Sequence, residues 1–398
     1  MPSSVAWMDT SARELRQAHE IIRLFEDKEG RDELGIGTVR DALSNALFPG
    51  TSVLLTRARY FLFIPWIYTL AAERAPTDEA FAGIVEKLER DLVDQLIREN
   101  AGDGIIGARA GRNVQNLPST LYWNGLRAYG IVNARRVTDI PRPRSAEDVT
   151  SELAKRSAAP LAQLPPRPEG FPHGATGGFD LSHDEAVWLR EHIVANRRGT
   201  PLAALLEPGK ITADLLTALT SSHAPWLHPL INHDPRVEQA RLFSRAMLGA
   251  SFLYNLLLAE SAGREGMVEK AEWSDHYREK LTAWQRELSD DAAFHAWTTP
   301  ELWREIDKTA TVPMLTRRFV DTWVGGVRRC CRSGTPVADS GRLRDLVAQR
   351  ERRKGAQSRL SNPRMLATWQ GAAGTRGLSY RWFNVRRIVV DIWEGLMR

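Results

Sequence analysis

A mainly α-helical protein in two parts is predicted by three features of this 398-residue sequence. Apolar side chains recur at helical spacing through several long segments, whereas no stretch shows the sustained alternation of a half-buried strand. A Pro- and Gly-rich segment at 141–179 interrupts this pattern and is typical of an extended linker. We therefore expect an N-terminal helical domain over 1–140, the linker, and a C-terminal helical domain over 180–398.

The helices of the N-terminal part follow from capping residues and apolar stripes. Ser11 is placed to cap one helix, and a second helix begins near Asp78, with apolar residues every three or four positions. Residues 61–72 are apolar, but they are fewer than the roughly 20 that span a membrane, and Pro65 interrupts them. We interpret this segment as a buried core element.

The C-terminal part has equally clear helix signals. Ser182 and Glu185 form a capping box, the pairing of side chains and backbone amides that starts a helix. Pro235 suits the first turn of a central helix, which we expect to be mostly buried over 237–262. Residues 274–288 form a further amphipathic helix.

Few short strands are expected, around Gly130 to Val132. The first residues lack the basic and apolar regions of a signal peptide, so secretion is not expected. Cys330 and Cys331 are adjacent, which rarely gives the geometry of a relaxed disulfide. These features predict a cytoplasmic protein in a reducing compartment, without a membrane partner.

Positive charge is concentrated at the carboxyl end of the sequence. Residues 341–398 contain thirteen Lys or Arg and four Asp or Glu, although the whole chain has a formal net charge of only +5. The rest of the chain is consequently net acidic. Such a distribution indicates a surface for an anionic partner.

Two arginines, Arg57 and Arg59, lead directly into the apolar segment at 61–72. At least one is expected to be partly buried and therefore to need a carboxylate. The carboxylates considered as partners are Asp32, Glu33 and Asp41. We favour structural ion pairing here over contact with a nucleic acid.

A basic segment at 104–144 contains seven arginines and one acid. Its glycines and apolar residues predict a short helix, a turn, a second helix and then a strand, which suggests a helix-turn-helix element. The side chains that this geometry would turn toward a nucleic acid are Tyr122, Asn124 and Arg127. Plain helical packing, with Trp123 and Leu126 in the core, is the favoured alternative.

Neither histidine nor cysteine spacing indicates a metal or catalytic site. His223, His228 and His233 are five residues apart, which places them on no common helical face. The adjacent cysteines lack the context of an activated thiolate, apart from nearby arginines that would lower a thiol pKa. We therefore predict no catalytic residue, no metal ligand and no cofactor.

The basic segment at 341–398 is the strongest indication of a binding surface, because arginines with interleaved aromatic residues suit phosphate contact and base stacking. However, Val385, Ile388 and Ile392 define a buried stripe on the last helix, so we expect the aromatic residues in the core and the arginines on one accessible surface. Two alternatives to nucleic-acid binding stay open for this surface: an acidic protein partner, and a solvated basic face without a partner. The candidate nucleic-acid contacts of the whole chain are Arg57, Arg59, Arg109, Arg112, Arg127, Arg352, Arg353, Lys354, Arg359, Arg364, Arg376, Arg381, Arg386 and Arg387.

Four strings of the sequence resemble an uncharacterised bacterial family, the domain of unknown function six-three-six-one. They lie at 33–37, 56–63, 104–107 and 118–123, and Thr56–Phe63, with the sequence TRARYFLF, is the most specific. The resemblance covers nearly the whole chain. It implies an accessory component of prokaryotic defence loci, next to helicase or phospholipase-D-like proteins, and it carries over no catalytic residue.

Together these features predict a non-enzymatic, nucleic-acid-associated component of a bacterial antiphage defence complex. Its expected partners are a nucleic acid, most simply DNA, and other defence proteins such as a helicase or a phospholipase-D-like protein. One alternative is a metal-dependent nuclease whose acidic residues meet only in the fold. The other is a purely structural scaffold.

Overall fold

The computed structural model describes residues 32–134, 161–174 and 176–398, and regular structure in these residues is almost entirely α-helical. Strand pairing among them is limited to an isolated antiparallel bridge between Val132 and Leu161. The predicted mainly α fold with little strand structure is therefore confirmed. The helix predicted at Ser11 and residues 141–160 of the predicted linker lie outside the described residues.

The α-helices of the described residues are numbered here in chain order. They are α1 (Gly37–Leu47), α2 (Tyr60–Arg74), α3 (Asp78–Arg98), α4 (Pro118–Ala128), α5 (His183–Asn196), α6 (Pro201–Leu205), α7 (Ala213–Ser221), α8 (Pro235–Arg264), α9 (Val268–Ala271), α10 (Trp273–Ser289), α11 (Ala292–Ala296), α12 (Thr299–Ile306), α13 (Met314–Ser333), α14 (Gly341–Arg352), α15 (Pro363–Ala367) and α16 (Trp382–Leu396).

The chain forms two compact units, each made of separate stretches of sequence. Among the described residues, the first unit contains Phe48–Ile231 and Arg381–Arg398. The second contains residues 32–47 and Asn232–Tyr380. This division differs from the expected domains, which met at a linker in the middle of the chain.

Part of the predicted linker packs closely inside the first unit. Phe171 is buried and stacks on Phe63 of α2, with ring centroids 5.7 Å apart. The indole nitrogen of Trp66, also in α2, donates a hydrogen bond to the carbonyl oxygen of Pro165 at 2.9 Å. Residues 161–174 therefore cover the core helix, which a proline-rich composition alone does not reveal.

The core of the first unit is built on α2, whose residues from Tyr60 to Ile64 are all buried. This helix packs against α3 and α4, as expected for the apolar segment at 61–72. The last helix, α16, packs on α5 and α7, and its Gly395 leaves no room for a Cβ beside Ala186 and Leu181. The buried stripe predicted on α16 is confirmed at Val385, Ile388 and Ile392.

The second unit is centred on α8, which the sequence predicted as a long and mostly buried helix. Asp234 caps its first turn, and Pro235 occupies the first helical position. The indole of Trp284 on α10 packs against Gly249, where any Cβ would clash. This glycine lets the two helices approach closely.

Within the described chain, α8 is the helix whose length and composition would allow it to cross a membrane. Inside the protein, 83% of its apolar window is buried. A buried helix at the centre of a globular domain has the same length and apolar composition, and α8 lies at the centre of its unit.

Candidate nucleic-acid interface

Arg57 is held in an internal ion pair of the first unit. Its guanidinium donates to both carboxylate oxygens of Asp391 on α16, with Nε distances of 3.1 and 2.9 Å. Asp391 is only 5% exposed and also accepts a hydrogen bond from the backbone of Ala58. Burial raises the pKa of this carboxyl above its ordinary value, although the bonds from Arg57 favour the ionised form. Structural ion pairing, which the sequence favoured, is the observed arrangement.

Arg59 is buried, with 6% of its surface exposed. It pairs with Glu185 at the start of α5 at 2.9 Å and donates to the carbonyl oxygens of Thr176 and Gly178. The carboxylates that pair with Arg57 and Arg59 therefore come from α16 and α5, not from the three acids suggested by proximity in sequence. Because it is buried and both of its Nη nitrogens are engaged inside the first unit, Arg59 is not part of an accessible surface.

Glu33 engages two more of the candidate residues within the second unit. Its carboxylate accepts hydrogen bonds from Lys354 and from the buried Arg359, each at 2.8 Å. Burial alone would raise the pKa of Glu33, but the two cations outweigh it and hold the pKa below its ordinary value. Glu351 is fully buried beside them and accepts hydrogen bonds from the backbone of Arg359 and the hydroxyl of Ser358. This cluster joins α14 to the segment before α1.

Four further candidates, all in the first unit, contact neighbouring acids or carbonyl oxygens. Arg112 pairs with Asp91 and Asp94 at 2.7 and 3.0 Å. Arg386 donates to the carbonyl oxygens of Thr220 and Ser222 at the end of α7, where a cation is favoured by the exposed carbonyls. The other two contacts join Arg381 to the carbonyl oxygen of Thr51 at 2.8 Å and Arg387 to Asp103 at 3.8 Å.

The remaining candidates have exposed side chains with no ion pair or hydrogen bond to another described residue. Those in the first unit are Arg109 and Arg127, and those in the second are Arg352, Arg353, Arg364 and Arg376. The fourteen candidates are thus divided between the two units, and only some of them are available to a ligand.

The predicted helix-turn-helix element is not formed. Residues 104–110 are turns followed by a single short 3-10 helix at Gly111–Asn113, because Gly104 and Gly107 adopt positive φ angles that a helix does not tolerate. Tyr122 is fully buried on α4 and hydrogen-bonds the backbone of Thr56 and Arg57. Of the three proposed contacts, only Asn124 and Arg127 are exposed.

Free arginines gather on α13 and α14, which pack against each other as antiparallel neighbours in the second unit. Gly326 of α13 meets Leu343 of α14. Farther along, the guanidinium of Arg350 donates to the hydroxyl of Thr316 at 2.9 Å and lies 5.3 Å from the ring of Phe319. These contacts fix how the residues of one helix face those of the other.

The solvent side of this helix pair carries four exposed arginines, which we call the arginine seam: Arg318 and Arg329 on α13, and Arg342 and Arg353 on α14 and its C-cap. On each helix, steps of four, three and four residues lead from the first arginine to the second, so the two arginines lie on one face of their helix. Within the described chain, none of the four has an ion pair or a side-chain hydrogen bond. Arg332 and Arg352 are also exposed and lie close to the seam.

The antiparallel packing places the seam arginines in two pairs. The contacts of Gly326 with Leu343 and of Phe319 with Arg350 set the register of the two helices. From this register we infer that Arg318 is level with Arg353, and Arg329 with Arg342, to within about one helical turn. Eleven residues separate the pairs on each helix. Burial, followed by the charge of Arg353, lowers the pKa of the neighbouring Arg350, as expected where positive charges are not neutralised.

Sequence reasoning did not single out Arg318, Arg329 and Arg342 as candidate contacts. Arg318 and Arg329 lie before the basic segment at 341–398, and Arg342 was counted in its charge without being singled out. The helical spacing of four, three and four residues is visible in the sequence, but the antiparallel pairing that aligns the two helices is not.

The aromatic residues of the basic segment are mostly buried, as predicted. Trp369, Tyr380, Trp382 and Trp393 are at most 1% exposed, whereas Phe383 is 53% exposed and lies beside Arg386. An array of aromatic side chains for base stacking is therefore absent from this segment.

A cleft of the second unit is lined by the start of α1 with the residues before it, by one face of α8, and by the loop at 374–378, which contains Arg376. Its charged side chains have both signs, since Asp32, Glu33, Arg40 and Arg376 all line it. Within the part of the chain that the structure describes, no three His, Cys, Asp or Glu side chains are grouped to hold a metal ion.

No curated protein and no solved structure matches the chain. A family model described as a family of unknown function matches residues 2–394, which is nearly the whole sequence. On this basis the chain belongs to the family of unknown function DUF6361.

Proposed function

We propose that this protein binds nucleic acid without transforming it, and that the arginine seam of the second unit is the contact. One observation supports this most: four exposed arginines from two helices face solvent without a carboxylate partner among the described residues. Like charges held close together repel, and a polyphosphate relieves that repulsion while releasing its own counterions. Arginine also binds phosphate oxygens with two parallel hydrogen bonds, which lysine does not.

The proposal is tested by reversing the seam charges in the full-length protein. A variant with R318E, R329E, R342E and R353E is expected to lose binding to a fluorescently labelled DNA at least 50-fold, because every proposed phosphate contact becomes repulsive. Circular dichroism and thermal unfolding check that it still folds.

A matched variant controls for net charge. K87E, R98E, R198E and R286E change the same number of exposed basic residues that are not part of the seam. We expect this variant to bind nearly as the parent does. If both variants bind DNA equally, or if the parent does not bind DNA at all, the seam is not a nucleic-acid site.

A role in a cytoplasmic antiphage defence complex, with a helicase or a phospholipase-D-like protein as neighbour, is the wider part of the proposal. The resemblance of Thr56–Phe63 and the other strings supports it. The test is protection of a bacterial host that carries the complete locus. The seam variant is expected to lose phage protection and still co-purify with its neighbours, whereas the control variant retains both properties.

A further inference from the structure

The spacing of the arginine seam indicates which form of nucleic acid it fits. Its two arginine pairs are eleven residues apart along each helix, which corresponds to about 16 Å at 1.5 Å per residue. The axes of two packed helices lie about 8–10 Å apart, so each pair also has a defined width. The seam therefore presents two separate positive centres, and not one continuous row of charge.

Uncharged residues occupy the seam between these centres. Thr322 and Gly325 lie between Arg318 and Arg329 on α13, with Gln349 and Leu346 on the facing side of α14. Gly325 has open space where a side chain would be, apart from the distant end of Arg329. The middle of the seam therefore carries no charge, and its side chains project less far from the helices than the arginines at either end.

A single strand would be a poor match to this surface. Its phosphates follow one another without a gap, and proteins that hold single strands add aromatic side chains on which bases stack. The two aromatic groups in the middle of α13, Phe319 and Trp323, are 4% and 0% exposed, and α14 contains no aromatic residue. The seam thus offers no stacking platform.

A B-form duplex matches the surface better. Its major groove is about 12 Å wide, with a line of phosphates on each edge and none across the opening. Two centres about 16 Å apart can each contact one edge, with the uncharged middle above the groove. In an A-form RNA duplex the major groove is deep and narrow, which does not suit this spacing.

We infer that the arginine seam holds double-stranded DNA by its two backbones, with Arg318 and Arg353 on one edge of the major groove and Arg329 and Arg342 on the other. This inference rests on the proposed nucleic-acid binding. Because the contacts are to phosphates, affinity depends only weakly on base sequence.

Fluorescence anisotropy with three probes of one sequence tests the inference: a 20-base-pair DNA duplex, its single strand and the equivalent RNA duplex. At about 0.1 M salt we expect the full-length protein to bind the DNA duplex at least tenfold more tightly than either other probe. A single strand or an RNA duplex that binds as tightly overturns the choice of duplex DNA and leaves the proposed function intact. Failure to bind any of the three overturns the proposed function itself.

A charge placed in the gap gives a second readout. The variant T322K and Q349K makes the positive surface continuous, so we expect single-strand affinity to rise by about tenfold and duplex affinity by less than threefold. The control variant Q115K and T120K adds the same charge at exposed positions of the first unit and is expected to leave the duplex preference unchanged. An equal gain for both probes in the gap variant would show that the spacing does not select the duplex.

Discussion

Arg57 and Arg59 show at the scale of single residues what the most specific family string does. Arg57 reaches Asp391 in α16, and Arg59 reaches Glu185 in α5, so the string joins segments that are far apart in sequence. Each of these two ion pairs therefore connects α2 and the residues before it to a helix from a distant part of the sequence. We therefore explain the specific Thr56–Phe63 string by folding and not by ligand binding.

Removing the carboxylate of Asp391 should destabilise the fold strongly. The Asp391→Ala variant leaves the largely buried guanidinium of Arg57 without its charge partner, which typically costs about 3–5 kcal/mol of unfolding free energy. Urea unfolding followed by tryptophan fluorescence measures this loss. Asp103→Ala is the control, because the side chain of Asp103 is 97% exposed and its ion pair with Arg387 is long, at 3.8 Å. A change below about 1 kcal/mol in Asp391→Ala would contradict the structural role.

Glu89 predicts a pH dependence of stability. Its carboxyl is fully buried on α3 and accepts hydrogen bonds from the backbone and hydroxyl of Ser119 at 2.7 and 2.8 Å. Burial raises its pKa from an ordinary value of 4.5 to about 7. Between these two pH values the unfolded chain loses this proton and the folded chain keeps it, so stability falls as pH rises, by roughly 3 kcal/mol in total.

The Glu89→Gln variant keeps an oxygen for the amide of Ser119 and carries no charge. Its unfolding free energy should therefore lack the parent's decline between pH 4.5 and 7. Glu86→Gln, at a half-exposed position on the same helix, is expected to retain that decline. Parallel pH profiles for the parent and Glu89→Gln would exclude Glu89 as the cause.

At the scale of elements, the α13–α14 contact determines the geometry of the candidate interface. Gly326 allows Leu343 to approach the α13 backbone, whereas its neighbour Gly325 faces open space. These adjacent glycines therefore predict opposite effects of the same substitution. One occupies a close contact between helices, and the other lies in the uncharged middle of the arginine seam.

Gly326→Ala should lower the unfolding free energy by about 1–2 kcal/mol, because the clash with Leu343 exceeds the gain in helix propensity. It should also weaken DNA binding by displacing α14 relative to α13. Gly325→Ala gains helix propensity without a clash and should raise the unfolding free energy by up to about 1 kcal/mol. Thermal unfolding of both variants provides the comparison, and equal effects would show that the contact is not close.

Individual helices could be predicted from the sequence because their signals are local. Ser182 and Glu185 form the predicted capping box, and the 30-residue helix α8 begins at Pro235 as expected. Partners such as Asp391 for Arg57 could not be predicted, because tertiary folding alone brings residues 334 positions apart together. The seam was missed for the same reason, since it requires the antiparallel alignment of two helices.

For the molecule as a whole, net charge is a poor guide to the available positive surface. The basic segment at 341–398 divides between the two units, and part of its charge is engaged inside them by Glu33 and by carbonyl oxygens. The arginine seam in turn recruits Arg318 and Arg329 from outside that segment. Charge accessible to a ligand is therefore set by the fold of each unit, and not by its position in the sequence.

The salt dependence of DNA binding distinguishes these two descriptions of the charge. If the four seam arginines contact phosphates, the logarithm of the binding constant should fall against the logarithm of salt concentration with a slope of about −3.6. If the C-terminal segment acts as a whole through its net charge, thirteen basic minus four acidic residues or +9, the slope should be about −8. Titrations of a DNA duplex between 50 and 200 mM salt measure the slope, and the smaller slope corresponds to a loss of affinity of about 150-fold over that range.

Removing one arginine pair, with R329A and R342A, should reduce the slope to about −1.8, because two phosphate contacts are lost. A parent slope near −8 that this variant changes by only about 0.9, through the loss of Arg342 from the segment, would assign binding to the segment and not to the seam.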